Sequence, residues 1–378
     1  MHILILDSEF PPVGGGAGTA SAQIARSLVA AGHRVTVMTT RHAELPLEEQ
    51  RDGYQIIRLP ARRRHLHRSS ASEQLSFMLV AALYGLPHVR RLRPDGVLAF
   101  FGAPSGAAAW FWSFFTRIPY IVSLRGGDVP GFRPYDFARE HALLKPLLRK
   151  VWRRAAAVVA NSQGLRQLGA DFEPQVPIEV IPNGVDAASF AVDKRTWQPP
   201  RLLFIGRIVY QKGLDVLFDA LSQLAGLDWE LRLVGDGPQM PRLRSLAQQY
   251  TISQRVHFLG WRDRSDLPKL LAESNLFVYP SRHEGMPNAV LEAMASGLPV
   301  VATAIAGNEE LVQDRRTGLL VPSDNASALA AALADLLPDA RRRESMGAAA
   351  RRLVERLYTW QNTAEAYVDL FETAREGA

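Results

Sequence analysis

The sequence predicts an α/β protein built as two Rossmann-like domains facing across a cleft. Three observations carry this. Short apolar, β-prone runs recur along both halves, and segments of helical spacing stand between them. That alternation builds parallel sheets covered by helices on both faces. The chain has 378 residues, enough for two domains of ordinary size. Between the halves, residues 186–200 show no clear period and carry Pro199-Pro200, the mark of a connector.

The elements follow in order. His2–Leu6 reads as a strand. Thr19–Ala31 reads as a helix, with Ile24, Leu28 and Val29 on its apolar face and Gly32 ending it. Strands follow at Arg34–Thr39 and Tyr54–Leu59, then a helix at Glu73–Tyr84. Gly96–Phe100 and Tyr120–Leu124 read as strands, 136–154 as a helix, and Ala156–Ala160 and Glu179–Ile181 as strands. In the second half, strands are expected at Arg201–Ile205, Glu230–Val234, Arg255–Leu259, Asn275–Val278, Pro299–Ala302 and Gly318–Val321. Helices are expected at 213–225, 238–249, 266–272, 287–295 and 308–313. Three helical stretches close the chain at 325–337, 340–356 and 359–375, the last with Trp360, Tyr367, Leu370 and Phe371 on one face.

Composition narrows the function classes. With no cysteine, disulfides, Cys–zinc sites and thiol nucleophiles are excluded. The first ten residues carry Asp7 and Glu9 and lack a basic leader region, so they read as a strand rather than a signal peptide. The most apolar stretch, Ala107–Phe115, is broken from Ile118–Leu124 by Thr116, Arg117 and Pro119, so no spanning helix is expected. Net charge is +6, but residues 1–195 carry 24 basic and 16 acidic side chains against 20 and 22 in 196–378. The basic character concentrates in Arg62–Arg68 and Arg90–Arg93. Two readings stand: a solvated loop and helix end, or contact with an anionic membrane surface or anionic acceptor. Nucleic acid is not expected, since the basic segments lack interleaved aromatics and no nucleic-acid motif accompanies them.

The densest chemical signal lies at residues 281–294. Glu284 and Glu292 stand eight positions apart across a Gly-x-Pro break, after a β-prone run and before a helical one. Two acids therefore sit beside a helix start, where backbone N–H groups attract anions. Such a site can hold a phosphate and two sets of hydroxyls together. Gly206–Gly213 follows a strand and carries Arg207 and Lys212, two cations able to neutralise a diphosphate without a metal. Val234–Pro238 and Phe258–Trp261 also follow strands; they read as linings of a base pocket or as tight turns. Asn183–Asp186 reads as an architectural turn. In the first half, Gly14, Gly15, Gly16 and Gly18 lead into a helix. This is not a dinucleotide fingerprint, because two prolines and an acidic pair precede it and no ribose-binding acid follows the next strand. It reads as a loop closing over a phosphate or acceptor, or as a flexible turn.

Taken together, these motifs resemble the family 4 retaining glycosyltransferases of the GT-B fold. The resemblance runs along nearly the whole chain: the N-terminal glycine loop, Val158–Ser162, Val180–Asp186, Gly206–Gly213, Val234–Gly237 and Glu284–Thr303, in that order. It implies an acceptor-binding domain at 1–190, a nucleotide-sugar-binding domain at 191–358, and a final helix at 359–378 crossing back to the first. It implies that Arg207 and Lys212 hold the donor diphosphate. Glu284 is then expected on the donor sugar and Glu292 on the ribose. Gly285, Met286, Pro287, Asn288 and Ala289 meet the distal phosphate, Gly235 and Gly260 line the base pocket, and Gly15 and Gly16 approach from the other domain. Relatives often carry a histidine after the strand at 120–124; here the segment reads Ser123-Leu-Arg-Gly-Gly-Asp128. Arg125 is a candidate for contact with the donor or an anionic acceptor, and Asp128 for orienting the acceptor hydroxyl. The other reading of both is a structural ion pair.

The implied reaction moves a sugar from a nucleoside diphosphate to a lipid-linked or glycan acceptor hydroxyl, with retention, in cell-envelope glycan, glycolipid or polysaccharide synthesis. No cofactor is expected, only the nucleotide-sugar substrate, and no metal, since no Asp-x-Asp occurs. The expected location is cytoplasmic, with the inner face of the plasma membrane as the place of peripheral attachment. Three other readings compete: a non-catalytic nucleotide-sugar-binding or regulatory subunit, a glycoside hydrolase using the two glutamates, and an NAD-dependent oxidoreductase.

Overall fold

The structure is a computed structural model that describes residues 1–43, 45–66, 69–132, 138–190 and 197–376, with the backbone alone for 138–142. His67 and Arg68 of the basic run, Asp136 and Phe137 of the expected helix 136–154, and residues 191–196 of the expected connector lie outside the described residues. The chain divides into two compact units, Met1–Asn183 with Trp360–Ala378, and Gly184–Thr359. Val185 and Phe190 already belong to the second unit's core, so the chain leaves the first unit at Asn183.

The first unit's sheet comprises β1 (His2–Leu6), β2 (Arg34–Thr40), β3 (Glu48–Arg51), β4 (Tyr54–Leu59), β5 (Gly96–Phe100), β6 (Tyr120–Leu124), β7 (Ala157–Ala160) and β8 (Ile178–Val180). Their order is β3-β4-β2-β1-β5-β6-β7-β8, all parallel except β3 against β4. Side chains of β1 alternate between two cores: Ile3 and Ile5 enter one, Leu4 and Leu6 the other. Helices α1 (Gly16–Ala30), α2 (Ala71–Leu92), α3 (Ala107–Thr116), α4 (Ala138–Arg154) and α5 (Gln163–Phe172) cover it. A capping box starts α2: the Glu73 carboxylate accepts from Ser70 N–H at 2.8 Å while the Ser70 hydroxyl accepts from Glu73 N–H.

Three of these elements escape the sequence pattern. Strand β3 reads Glu-Glu-Gln-Arg and has no apolar face; pairing with β4 and the ion pairs of Glu49 with Arg51 and Arg58 hold it at the sheet edge. Helix α3 is apolar nearly all round, which erases the helical period. Helix α5 is short and announces itself only by its cap, Ser162, whose hydroxyl accepts from Leu165 N–H at 3.2 Å.

The second unit's sheet comprises β9 (Arg201–Ile205), β10 (Glu230–Val234), β11 (Val256–Gly260), β12 (Leu276–Tyr279), β13 (Val300–Thr303) and β14 (Gly318–Val321). Its order is β11-β10-β9-β12-β13-β14, every pair parallel. The helices are α6 (Leu214–Ser222), α7 (Met240–Gln249), α8 (Leu267–Ala272), α9 (Asn288–Ala295), α10 (Ala306–Glu309), α11 (Ala326–Leu336) and α12 (Ala340–Leu357). The helix expected at 308–313 is thus a single turn ending at Glu309.

The last helix, α13 (Trp360–Glu376), belongs to the first unit. Trp360, Ala364, Tyr367 and Phe371, spaced three and four apart, join the core that holds Ile3 and Ile5. Tyr367 and Ser123 share a hydroxyl–hydroxyl bond of 2.7 Å. Gly96 leaves room for Phe371: a Cβ there would lie 2.4 Å from the ring.

Both units are therefore doubly wound, and in each the strand order reverses once. The reversal falls between β1 and β5 in the first unit and between β9 and β12 in the second. Beyond the carboxyl ends of strands at such a point, neighbouring loops run apart and leave room for a ligand.

Candidate functional site: the carboxyl edges of the two sheets

The loops after β9 and β12 flank the reversal in the second unit. Gly213, in the left-handed region at φ 61°, ends the β9 loop; a Cβ there would lie 2.1 Å from Pro280 O. Gly235, after β10, comes so close to Gly206 that a Cβ would lie 1.9 Å from its carbonyl oxygen, and its N–H donates to Gly260 O at 2.8 Å. The expected phosphate-side and base-side loops are thus packed backbone on backbone.

This packing brings Lys212 to Glu284. The ammonium lies 2.5 Å from Glu284 Oε1 and 2.6 Å from the Tyr279 hydroxyl, and all three side chains are largely removed from water. Tyr279, the last residue of β12, stacks on Phe204 of β9 with centroids 5.8 Å apart. Burial, and then the Glu284 charge, push its phenol well above its ordinary value, so it stays a neutral donor or acceptor. Arg207 is exposed on the β9 loop and makes no ion pair among the described residues.

Arg282 fastens the Glu284 loop from behind. Its buried guanidinium pairs with Asp215 at 3.0 and 3.2 Å and with Asp324 at 2.7 Å. It also donates to Tyr210 O at 2.6 Å and stacks on the Tyr210 ring. The Gln211 amide donates to His283 O and the Thr303 hydroxyl to Ser281 O, each at 2.5 Å. The loop carrying Glu284 is therefore held by α6, β13 and the Lys212 loop at once.

Gly285, Met286 and Pro287 are buried as the chain turns into α9, and Asn288 and Ala289 are half-buried in its first turn. That helix start has no side-chain cap and no acid in its first turn, so its N–H dipoles are not opposed by a protein carboxylate. Glu292 lies on the buried face of α9. Burial raises its pKa, and Arg264, 2.8 Å away, works in the opposite direction. The two glutamates thus rest on separate cations.

The first unit is finished differently. Asp7 follows β1 and is fully buried. One carboxylate oxygen accepts from Glu9 N–H at 2.9 Å, and the other has no partner. Burial pushes this carboxyl up to about 8. Arg125, after β6, lies over the Phe100 ring at 4.2 Å and donates to Asn183 Oδ1 at 2.7 Å, while its Nε and Nη2 are buried without partners. The Ser105 hydroxyl after β5 and Asn161 Oδ1 after β7 are unpartnered as well. Side chains with a buried polar atom left unpartnered therefore follow four neighbouring strands, β1, β5, β6 and β7. Asp128 is spent on the backbone: it accepts from Gly102 N–H at 2.8 Å and from Arg125 and Gly126 N–H at 3.0 Å. That makes it a brace between two strand-end loops, with Oδ1 accepting two of these bonds and Oδ2 one. Gly15 caps α1 and Gly16 begins it; a Cβ on Gly15 would meet nothing within 4 Å, so packing does not require a glycine there.

Comparison with known proteins decides the family. The model of Glycosyltransferase Family 4 matches residues 14–189, and that of Glycosyl transferases group 1 matches residues 188–353. The chain belongs to the family 4 glycosyltransferases. The glycogen synthase of Mycobacterium tuberculosis is 27% identical over all of this chain and 96% of its own length. A putative colanic acid biosynthesis glycosyltransferase of Escherichia coli, WcaL, is 31% identical across 64% of this chain and 61% of its own. Among solved structures, sucrose-phosphate synthase from Thermosynechococcus elongatus superimposes with a TM-score of 0.88 at 24% identity, covering both chains completely. Anabaena HepE with UDP-glucose gives 0.79 at 21%, covering 99% of this chain and all of its own. These two establish the shared GT-B fold.

In this glycosyltransferase, sequence reasoning singled out Lys212, Glu284 and Glu292, and missed Tyr279, Arg264, Arg282 and Asp7 as contributors. Tyr279 had a signal: a polar-tipped aromatic at the carboxyl end of an apolar strand. Arg264 and Arg282 had none, since their partners lie 28 to 67 residues away.

Proposed function

We propose that this glycosyltransferase moves a sugar from a nucleoside diphosphate to an acceptor hydroxyl with retention at the anomeric carbon and without a divalent metal. The observation that carries the reading is the Lys212–Glu284 pair beside the uncapped start of α9, at the strand-order reversal of the second unit. As the glycosidic bond breaks, negative charge builds on the leaving diphosphate. Arg207, Lys212 and the α9 amides supply fixed positive potential for that charge. Glu284, oriented by Lys212, takes hydroxyls of the donor sugar, and Glu292, oriented by Arg264, those of the ribose. The leaving phosphate accepts the proton of the acceptor hydroxyl, so no side chain has to serve as a strong base.

The acceptor falls to the first unit, where Asp7, Ser105, Arg125 and Asn161 hold polar atoms for which the protein supplies no partner. The open space at Gly15 suits close approach of an acceptor to the start of α1. Relatives favour cell-envelope glycan, glycolipid or polysaccharide synthesis. Besides glycogen synthase, they include a GDP-mannose-dependent phosphatidylinositol monomannoside mannosyltransferase of Mycobacterium tuberculosis, 32% identical across 59% of this chain. We place the enzyme in the cytoplasm. Among the described residues, no helix is long and apolar enough to cross a membrane. Hydrolysis fits less well: its two carboxyls must flank one scissile bond, whereas these glutamates are each tied to their own cation.

A screen of UDP-, GDP- and ADP-sugars, read by nucleotide release in the presence of a chelator and by the anomeric configuration of the product, tests the proposal. One donor class is expected to turn over, undiminished by chelation, with its anomeric configuration kept. Cleavage of a plain glycoside with no nucleotide-sugar required would overturn it.

A further inference from the structure

Helices α2 and α3 carry an exposed apolar face that the proposed chemistry does not use. Leu75, Leu79 and Leu83 recur every fourth residue along α2, and Phe114 and Phe115 end α3; each is between 50% and 65% exposed. With Tyr84, these are six of the twelve large hydrophobic side chains exposed among the described residues, and they sit on two helices that pack together. Trp112 joins the helices by donating to Ala81 O at 3.1 Å, and its ring fills the space left by Gly85.

Charge around this face is mostly of one sign, the exposed Glu48 of β3 near His88 being an exception. Residues 60–93 hold seven arginines and a single acid, Glu73, which is buried in its capping box. Helix α3 has no acid at all. Arg90 lies over the Phe115 ring at 5.8 Å. Arg154 lies over the Phe114 ring at 4.4 Å and is fixed there by a 2.7 Å bond to the Ser113 hydroxyl. Guanidiniums seated on exposed aromatic rings at the margin of a leucine stripe match a boundary between anionic headgroups and acyl chains. A second copy of the chain suits the face poorly, because a two-fold contact would set arginines against arginines.

We propose that the outer face of α2 and α3 docks on an anionic phospholipid surface. The inference deepens the proposed function and rests on its reading as glycosyl transfer in cell-envelope glycan or glycolipid synthesis. The leucines and phenylalanines enter the headgroup–acyl boundary, and Arg90, Arg91 and Arg154 meet lipid phosphates.

The test is co-sedimentation of the full chain with phosphatidylcholine vesicles, with and without phosphatidylglycerol. Two double variants are compared, Leu79→Glu with Leu83→Glu and Arg90→Gln with Arg91→Gln. Native protein is expected to bind only the phosphatidylglycerol vesicles and to release in salt. The leucine variant is expected to lose at least about tenfold in binding. The arginine variant should lose about fivefold per arginine. Both should keep native nucleotide release, since neither touches the donor loops. Failure of native protein to bind at low salt, or native binding by the leucine variant, overturns the inference. So does a native dimer that the leucine variant converts to monomer without any change in vesicle binding. Vesicle binding in a protein that turns over no nucleotide-sugar leaves the docking face standing and removes the functional reading instead.

Discussion

Each sheet reverses its strand order once and sets polar side chains at the reversal, but the ionisable groups at the two edges are finished in opposite ways. At the second, Lys212 already holds Glu284, Arg264 holds Glu292, and Arg282 clamps the loop between them. At the first, Asp7 and Arg125 present buried polar atoms without a partner; neutral side chains do so at both edges, Ser105 and Asn161 at the first and Gln211, Ser281 and Asn308 at the second. Where the charges are paired in advance, the ligand meets groups already oriented, and little reorganisation is left to the reaction. Where they are not, the protein carries a desolvation cost that a bound polar group would relieve. Under the proposed function, the difference separates a preset donor site from an acceptor site that its ligand completes.

The comparison breaks most sharply at Lys212. Lys212→Ala removes a contact to the leaving diphosphate and leaves Glu284 buried without its cation. Steady-state turnover is expected to fall about 10²–10³-fold, and denaturant unfolding should show a loss of roughly 3 kcal/mol. Native-like turnover would mean that the pairing is structural only.

Arg282→Ala is expected to come next. It strands Asp215 and Asp324 and frees the Glu284 loop, so stability should drop by about 2–3 kcal/mol and kcat/KM should fall with it. Arg282→Lys restores the charge without the planar fork and should recover only part of each. Full recovery by lysine would show that charge alone holds the loop.

A smaller effect is expected at Arg264, whose side chain is half exposed. Arg264→Ala should raise KM for the donor by about fivefold with little change in kcat, because Glu292 is assigned to the ribose rather than to the reacting sugar. A fall in kcat at unchanged KM would reverse that assignment.

A pH-dependent effect is expected on the other side of the comparison. Burial carries the Asp7 carboxyl from 3.8 to about 8. Between these values the unfolded chain has released the proton and the folded chain has kept it. Asp7 therefore makes stability fall as pH rises through that window. Asp7→Asn removes this slope and should melt higher than native protein at pH 8, by at least about 2 °C, with the gap closing towards pH 4. Equal pH slopes would place the Asp7 carboxylate in contact with water or a cation.

What could be read from the sequence was whatever lies close along the chain. The strand–loop–helix rhythm, the Gly-x-Pro break after Glu284 and the Arg207–Lys212 loop are all local, and they point to the β9 and β12 loops that the fold brings to the strand-order reversal. Partners brought together by the fold were out of reach. Arg282 meets Asp215 and Asp324 only once the sheet is assembled. Asp128 reads from the sequence as a group orienting the acceptor or as half of an ion pair, and only the fold shows it accepting from Gly102 N–H. Helix α3 and strand β3 hid for opposite reasons, one having no polar face and the other no apolar face.

The central claim is that Glu284 serves the donor sugar from its place on Lys212. Nucleotide release by Glu284→Gln, a variant that keeps the side chain's shape, tests it most directly. Turnover is expected to fall about 10²-fold or more while the free nucleoside diphosphate still binds as it does to native protein. Native turnover by this variant would contradict it.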